Sequence, residues 1–225
     1  NFYNVNSTTY GLQPTAGFTA LAGADDADLA TGISLPFSFN FYGTAQTSIN
    51  ISSNGYAYFG AANGGSIFAD GVTNGISVFS ADMFPTAGQV SYGTVGVAPN
   101  RIFVIDWNGM PEYAGGGTHT GQLQIFESGL IQIHVASATS STRNKTLGLR
   151  NTAGTDNTYP AGFANLPWTV NTPTAWTFSP CISATITAYS WSPGAELDDA
   201  SLQSPVYSPT ANGVTTFTVT VTNSG

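Results

Sequence analysis

Apolar and polar residues alternate with a period of two along much of the chain. Residues 35–41 alternate in this way and Gly43 follows; residues 49–52 alternate again and lead into Asn54 and Gly55. Successive side chains of a strand point to opposite faces, so both runs predict half-buried strands. An Asn-Gly pair between two such runs predicts a hairpin in which both residues supply positive φ angles.

Two later segments predict the centre of the sheet structure. Residues 101–107 form a nearly continuous apolar run, as expected of a buried strand. Residues 123–125 and 131–135 predict a hairpin that turns at 127–129. The polar residues of this hairpin are expected on the opposite, wetter face: Gln122, Gln124, Gln132 and His134.

The pattern contains no convincing amphipathic helix, and Gly, Pro, Asn and Ser clusters separate short strands. We therefore predict an all-β fold, an antiparallel, jelly-roll-like β-sandwich, over residues 1–180. The sequence pattern changes near Pro180 and Cys181, and this change predicts a second, small β unit over residues 181–225.

The second unit is predicted to contain three strands, at 185–191, 205–207 and 215–222. Three strands are near the lower limit for independent stability, so we expect this unit to be truncated.

Charge is scarce in this sequence. Only 7% of the residues are charged, the net charge is −8, and Lys145 is the only lysine. Ser, Thr, Asn, Gln and Gly must supply the polar surface, which is common in exported proteins. The acidic balance disfavours nucleic acid and anionic membranes as partners, and no apolar stretch is long enough to span a bilayer. Cys181 is the only cysteine of the chain. An internal disulfide is therefore excluded, while a disulfide bond to another chain remains open.

Catalytic chemistry has little support in the sequence. The two histidines are His119, in a Gly-rich loop, and His134, and no nucleophile elbow is present. Asp106 and Glu112 suggest a glycosidase pair, which needs two carboxylates across the scissile bond. Acids beside turns are common, so we favour a turn-capping role for both and expect no enzyme activity.

Aromatic residues near loops and strand ends suggest a glycan-binding surface, since sugars stack on exposed rings. An aromatic-rich core is the competing interpretation, above all for Trp107. Tyr113, in a segment that also contains Pro111 and Gly115, is the best candidate. The full set of predicted ligand-binding residues is Tyr56, Tyr58, Trp107, Tyr113 and Trp168.

Two acidic loops suggest calcium, which prefers several carboxylate and carbonyl oxygens on one loop. Neither loop has the twelve-residue calcium-loop pattern, and adjacent acids also occur simply as turn formers. Calcium therefore remains one of two interpretations, and no other cofactor is predicted. The candidate metal ligands are Asp25, Asp26, Asp28, Asp198 and Asp199.

The strand motifs together resemble the nidogen-type (NIDO-like) extracellular module. In that module an aromatic-rich strand ending in Tyr-Gly precedes a strand ending in Ser-Asn-Gly. The resemblance covers roughly residues 30 to 155 and implies an extracellular, non-catalytic role. Its motifs are at 35–43, 49–55, 58–60, 78–83, 99–107 and 121–127.

The tail, residues 189–221, resembles the second half of an immunoglobulin-like repeat. Such repeats follow modules of this kind in large bacterial surface proteins that use the type IX secretion route. The resemblance implies a structural or adhesive, filament-forming module at the cell surface, with copies of itself or other surface domains as partners. The alternative is a carbohydrate-binding module attached to a secreted enzyme, with or without calcium at the acidic loops.

Overall fold

The structure, a computed structural model, describes residues 2–24, 26–61, 71–139, 142–181 and 186–223. In these ranges every regular element is a β-strand, which confirms the predicted all-β class. The chain forms two compact units, Asn1–Cys181 and Ile182–Gly225.

The strands are, in chain order, β1 (Tyr3–Thr8), β2 (Thr19–Ala20), β3 (Asp28–Phe41), β4 (Thr44–Ser52), β5 (Tyr56–Tyr58), β6 (Gly75–Ser80), β7 (Val90–Val95), β8 (Ile102–Pro111), β9 (Thr118–Phe126), β10 (Ile131–Ala138), β11 (Asn144–Arg150), β12 (Asn157–Thr158), β13 (Leu166–Pro167), β14 (Thr174–Pro180), β15 (Ile186–Ser192) and β16 (Thr218–Asn223).

Two antiparallel sheets build the first unit. The first sheet has the order β1-β14-β10-β9-β8-β7-β2, and the second has the order β12-β11-β6-β5-β4-β3, with β13 paired to β11. One apolar core contains side chains from both sheets, among them Phe39, Val78, Trp107 and Ile133. This arrangement confirms the predicted antiparallel sandwich.

The period-two pattern places the core residues. Phe39 and Phe41 of β3 are buried, as are Ile105 and Trp107 of β8. Burial of a large apolar side chain contributes roughly 1.5–3 kcal/mol, so these alternating positions supply much of the driving force for the sandwich.

The Asn54-Gly55 turn joins β4 to β5, as predicted, but only Gly55 has a positive φ angle, of 74°. A Cβ atom at Gly55 would lie 2.6 Å from the Phe79 ring, so the position also needs glycine for space. Asn54 has another role. Its buried side chain accepts a hydrogen bond from Met83 N (2.8 Å) and donates one to Asp26 (3.0 Å).

Residues 9–18, which we call the strap, connect the two opposite edges of the first sheet. β1 is one edge strand and β2 is the other. Six inter-strand steps of about 4.8 Å make a span of about 29 Å, and ten extended residues reach about 33 Å. The strap therefore crosses the outer face of the sheet in a mainly extended form and ends in a turn, in which Phe18 N donates to the Thr15 carbonyl (3.1 Å).

Side chains of β9 and β10 hold the strap by its main chain. Gly11 N donates to Nδ1 of His134 (3.1 Å), and Gln13 N donates to Oε1 of Gln122 (2.8 Å). In return, Nε2 of Gln124 donates to the Gly11 carbonyl (3.0 Å). These bonds satisfy main-chain groups that β-pairing does not reach.

The expectation that the polar face of the 122–134 hairpin is wet was wrong. Gln122, Gln124 and His134 are buried, and only Gln132 keeps intermediate exposure. The strap covers this face, and its main-chain groups replace water as hydrogen-bond partners.

The second unit is a two-stranded ribbon in which β15 pairs antiparallel with β16. The strand predicted at 205–207 is reduced to an isolated bridge between Leu197 and Tyr207. Trp191 donates from Nε1 to the Leu202 carbonyl (3.0 Å), which ties the intervening loop to β15. The immunoglobulin-like character of this unit stays a prediction. Cys181, at the end of the first unit, is a free thiol of intermediate exposure.

Candidate functional site

The first acidic loop is organised by hydrogen bonds within the protein. Oδ1 of Asp26 accepts a hydrogen bond from the side chain of Asn54 (3.0 Å), and Asp28 is the first residue of β3. Asp25 lies outside the described residues. The described acids of this loop therefore take part in the start of β3 and in its contact with the neighbouring Asn54 turn.

The second acidic loop caps its own turns. Oδ1 of Asp198 accepts from the main-chain N–H groups of Asp199 (2.8 Å) and Val206 (2.7 Å). Oδ1 of Asp199 accepts from Ser201 N (2.8 Å), and the Ser201 hydrogen bonds lower the pKa of Asp199. Within the described ranges, no group of three His, Cys, Asp or Glu side chains is placed to hold a metal ion. Turn formation accounts for these acids.

Four of the five predicted glycan-binding aromatics lie in the interior. Trp107 packs against Phe79, and Trp168 donates from Nε1 to the Lys145 carbonyl (3.0 Å). Their burial argues against a ligand-binding role, because a sugar needs an exposed ring face. The four buried rings are those of Tyr56, Tyr58, Trp107 and Trp168.

Tyr113 is the exception, and it has a neighbour that sequence reasoning did not include. Tyr113 is 47% exposed and Phe84 is 46% exposed, and their rings meet edge to face with centroids 6.4 Å apart. Main-chain bonds hold both residues, since Tyr113 N donates to the Asp82 carbonyl (3.0 Å) and Phe84 N to the Pro111 carbonyl (2.9 Å). We call Phe84 and Tyr113 the aromatic pair.

Beside the aromatic pair the interior contains an ionisable group of three side chains. Glu112, His119 and Lys145 are each 0% exposed. Oε1 of Glu112 lies 2.8 Å from Nε2 of His119 and 4.0 Å from Nζ of Lys145. We call these three residues the buried cluster. Phe79 and Trp168 wall it, with the Phe79 ring 5.4 Å from the His119 ring and the Trp168 ring 5.3 Å from Nζ.

Arg143 connects the buried cluster to the aromatic pair. Its Nε lies 3.7 Å from Oε2 of Glu112, and its Nη2 donates to the Tyr113 carbonyl (2.9 Å). Its Nη1 forms an ion pair with the partly exposed Asp82 (3.2 Å). One guanidinium thus joins an inner acid, an outer acid and the loop that carries the exposed tyrosine.

Burial shifts the pKa values of His119 and Lys145. It lowers the pKa of His119, although Glu112 opposes this effect, and it lowers the pKa of Lys145 against the same opposing carboxylate. His119 is therefore neutral at pH 7. In the described structure Nδ1 of His119 has no hydrogen-bond partner. The tautomer with hydrogen on Nε2, donating to Glu112, fits best because it leaves a lone pair at Nδ1 rather than an unsatisfied donor.

Asp106 and Glu112 do not form a catalytic pair across a cleft. Asp106 lies on the outer face of β8, where it accepts from Nε2 of Gln122 (3.0 Å), and burial raises its pKa. Glu112 points inward to His119 instead. The two carboxylates thus have separate environments, one beside Gln122 on the outer face of β8 and one beside His119 in the interior.

Sequence reasoning missed the buried cluster. His119 was expected in a Gly-rich loop, but it is the second residue of β9 and is buried. The available signal was Lys145, the single lysine of the chain, two residues before the apolar stretch of β11. A charged residue next to a buried apolar stretch needs an opposite charge nearby. The partner, Glu112, lies 33 positions earlier in the chain, so the local sequence did not indicate it.

Comparison with protein families gives a match. The family model described as NIDO related matches residues 2–219, and thus runs through most of both units. No curated protein and no solved structure matches the chain. The described residues contain no helix of the length and hydropathy needed to cross a membrane. The chain belongs to the NIDO-related family, whose domains are typically extracellular.

Proposed function

We propose that the chain is a non-catalytic structural and adhesive module of a large secreted bacterial surface protein, in which it associates with copies of itself or with other surface domains. One observation carries the proposal. The acid and base groups that resemble catalytic machinery, Glu112, His119 and Lys145, are sealed from solvent, while the nearby exposed surface is aromatic.

A sealed acid–base cluster cannot receive a substrate without opening the core, but it can hold loops in place. Glu112 follows β8 of the first sheet, and Lys145 belongs to β11 of the second. The strap adds a second restraint across the outer face of the first sheet. Rigid loops that present aromatic side chains suit adhesion, because aromatics contribute large contact area at low entropic cost.

The low charge supports self-association in particular. With 7% charged residues, contacts between copies remove few charged groups from water. The type IX route and the immunoglobulin-like nature of the second unit are part of this proposal and rest on the tail motifs at 189–221.

Electron microscopy of native material, released from the cell surface without denaturant, tests the proposal. Ordered filaments or long stalks are the expected result. Discrete compact particles that stay monomeric in sedimentation experiments at the same concentration would contradict it.

Glycan binding at the aromatic pair is the second candidate function. The observation that favours it is the exposed edge-to-face pair of Phe84 and Tyr113 beside the Arg143–Asp82 ion pair. The rings can stack on a sugar, and the charged groups can form hydrogen bonds with its hydroxyl groups.

Calorimetry with a broad glycan set, with and without calcium, tests this function. We expect heat of binding that Tyr113→Ser abolishes. Tyr207→Ser is the matched control, because Tyr207 is 39% exposed and lies in the other unit. Absence of heat with all glycans would exclude this function.

A further inference from the structure

The buried cluster places the only lysine of the chain beside a carboxyl group, in a buried space next to the Phe79 and Trp168 rings. Nζ of Lys145 lies 4.0 Å from Oε1 of Glu112, at the outer limit of an ion pair, and donates a hydrogen bond to the Arg143 carbonyl (3.1 Å). Oε2 of Glu112 has no hydrogen-bond partner among the described residues. His119 touches the same carboxyl group at 2.8 Å.

As an ion pair, this arrangement is energetically poor. Removing two charges from water costs several kcal/mol per ion, and the pair recovers this only with close contact and a full set of hydrogen bonds. The Nζ–Oε1 distance of 4.0 Å is not a close contact, and Oε2 accepts no hydrogen bond from the described residues, although Nε of Arg143 lies 3.7 Å away. A reaction that removes both charges and keeps the two groups joined would relieve the cost.

We propose that Lys145 and Glu112 join covalently, through an amide bond between Nζ and Cδ that the folded protein forms by itself with loss of one water molecule. The linkage would be a covalent clamp between β11 of the second sheet and the segment that follows β8 of the first. It goes beyond the proposed function and does not depend on it.

The surroundings suit each step. Burial lowers the pKa of Lys145 and so favours the neutral amine, which is the nucleophile. The ammonium first transfers a proton to the Glu112 carboxylate, giving an amine and a carboxylic acid. The amine then attacks Cδ, and a C–N bond forms.

His119 is the proton relay in this scheme. Its Nε2 carries a hydrogen and contacts Oε1 of Glu112, so it can donate this hydrogen to the departing oxygen while the second proton of the amine replaces it on the ring. The C–O bond breaks, and the oxygen leaves as water with one hydrogen from the first transfer and one from His119, which the amine has restored to its neutral form. The amide keeps the third hydrogen. One positive and one negative charge disappear together, and no oxidant or reductant takes part.

The intact mass of the folded protein, measured after denaturation, tests the bond directly. We expect a mass lower than that of the sequence by one water molecule. A mass equal to that of the sequence would overturn the proposal, and this measurement requires no variant that must fold.

Peptide mapping locates the linkage. Trypsin has four sites, after Arg101, Arg143, Lys145 and Arg150. An amide at Nζ blocks cleavage after Lys145, so the expected product is peptide 102–143 joined to peptide 144–150 with one water missing. Separate peptides 102–143, 144–145 and 146–150 would overturn the proposal, as would water loss located elsewhere.

Two variants separate chemistry from structure. Lys145→Arg keeps the positive charge without the amine nucleophile, and its mass should equal that of its sequence. In His119→Phe, which keeps an aromatic ring beside Phe79, we expect at least a tenfold slower mass change after folding. Retention of the water loss in Lys145→Arg would contradict the assignment. None of these readouts depends on adhesion, so failure of the bond and failure of the proposed function can be told apart.

Discussion

The main-chain N–H of Gly11 donates a 3.1 Å hydrogen bond to Nδ1 of the buried His134. The bond needs the lone pair of a neutral imidazole, while Nε2 faces Oε1 of Gln132 at 3.1 Å and can donate to it. A protonated ring would place a hydrogen on Nδ1 against the N–H of Gly11. The strap is therefore compatible with neutral His134 only.

The first prediction concerns stability against pH. Burial lowers the pKa of His134 to about 4, whereas an unfolded histidine has a pKa of about 6.5. Between these values the unfolded chain binds more protons, so the free energy of unfolding rises with pH. The contribution of His134 is complete above about pH 6.5 and is lost as the pH falls to about 4, and it amounts to at most about 3 kcal/mol.

Urea denaturation at a series of pH values measures this effect. His134→Gln keeps an acceptor for Gly11 and cannot titrate, so its stability should change less between pH 6.5 and pH 4. An identical pH profile for the variant and the wild type would contradict the role given to His134.

The second prediction concerns the far end of the strap. A Cβ atom at Gly93, in β7, would lie 2.3 Å from the Phe18 ring, so Gly93→Ala must displace that ring. We expect a loss of about 1–3 kcal/mol in the free energy of unfolding, as for other overpacked sites. Gly213→Ala is the control, because nothing lies within 4 Å of its added methyl group, and its effect should stay within about 0.5 kcal/mol. Equal effects of the two substitutions would show that Phe18 does not pack on Gly93.

The third prediction concerns the buried cluster. Lys145→Met leaves the Glu112 carboxylate buried with a weakened counter-charge, which should cost about 3–5 kcal/mol. Adding Glu112→Gln removes that charge and should recover part of the loss, because the amide can still hydrogen-bond His119. A double-mutant cycle by denaturant unfolding measures the coupling. Additive losses would mean that the two residues do not interact.

The fourth prediction concerns the turn between β9 and β10. Nε and Nη2 of Arg101 bond both carboxylate oxygens of Glu127, at 2.9 Å and 2.6 Å, and these bonds lower the pKa of Glu127 to about 2. The stabilisation is complete above the ordinary glutamate pKa and is lost as the pH falls through about 2. An NMR titration should show the pKa of Glu127 rising toward 4.5 in Arg101→Gln. Arg150→Gln, whose arginine bonds Asn157, should leave the titration unchanged.

Local pattern was sufficient for the strands of the sandwich. The alternation in β3 and the apolar run in β8 follow from the two-residue repeat of an extended backbone, which is independent of distant residues. The turn at Gly129 was equally accessible, because a positive φ angle favours glycine wherever it occurs. At Asn54 the position of the turn was predictable, but the role of the side chain was not. Its buried contacts are with Met83 and Asp26, which are distant in sequence.

Only the tertiary structure decided two features of this sandwich, the covering of the first sheet by the strap and the assembly of the buried cluster. Gly11 and His134 are 123 positions apart, and no local signal shows that a polar strand face will be covered by the strap. Glu112 and Lys145 belong to segments of different sheets, and they meet only because the sandwich closes. Hydrophobic periodicity predicts which face of a strand each side chain occupies. Which segment packs against that face depends on the tertiary structure of the whole chain.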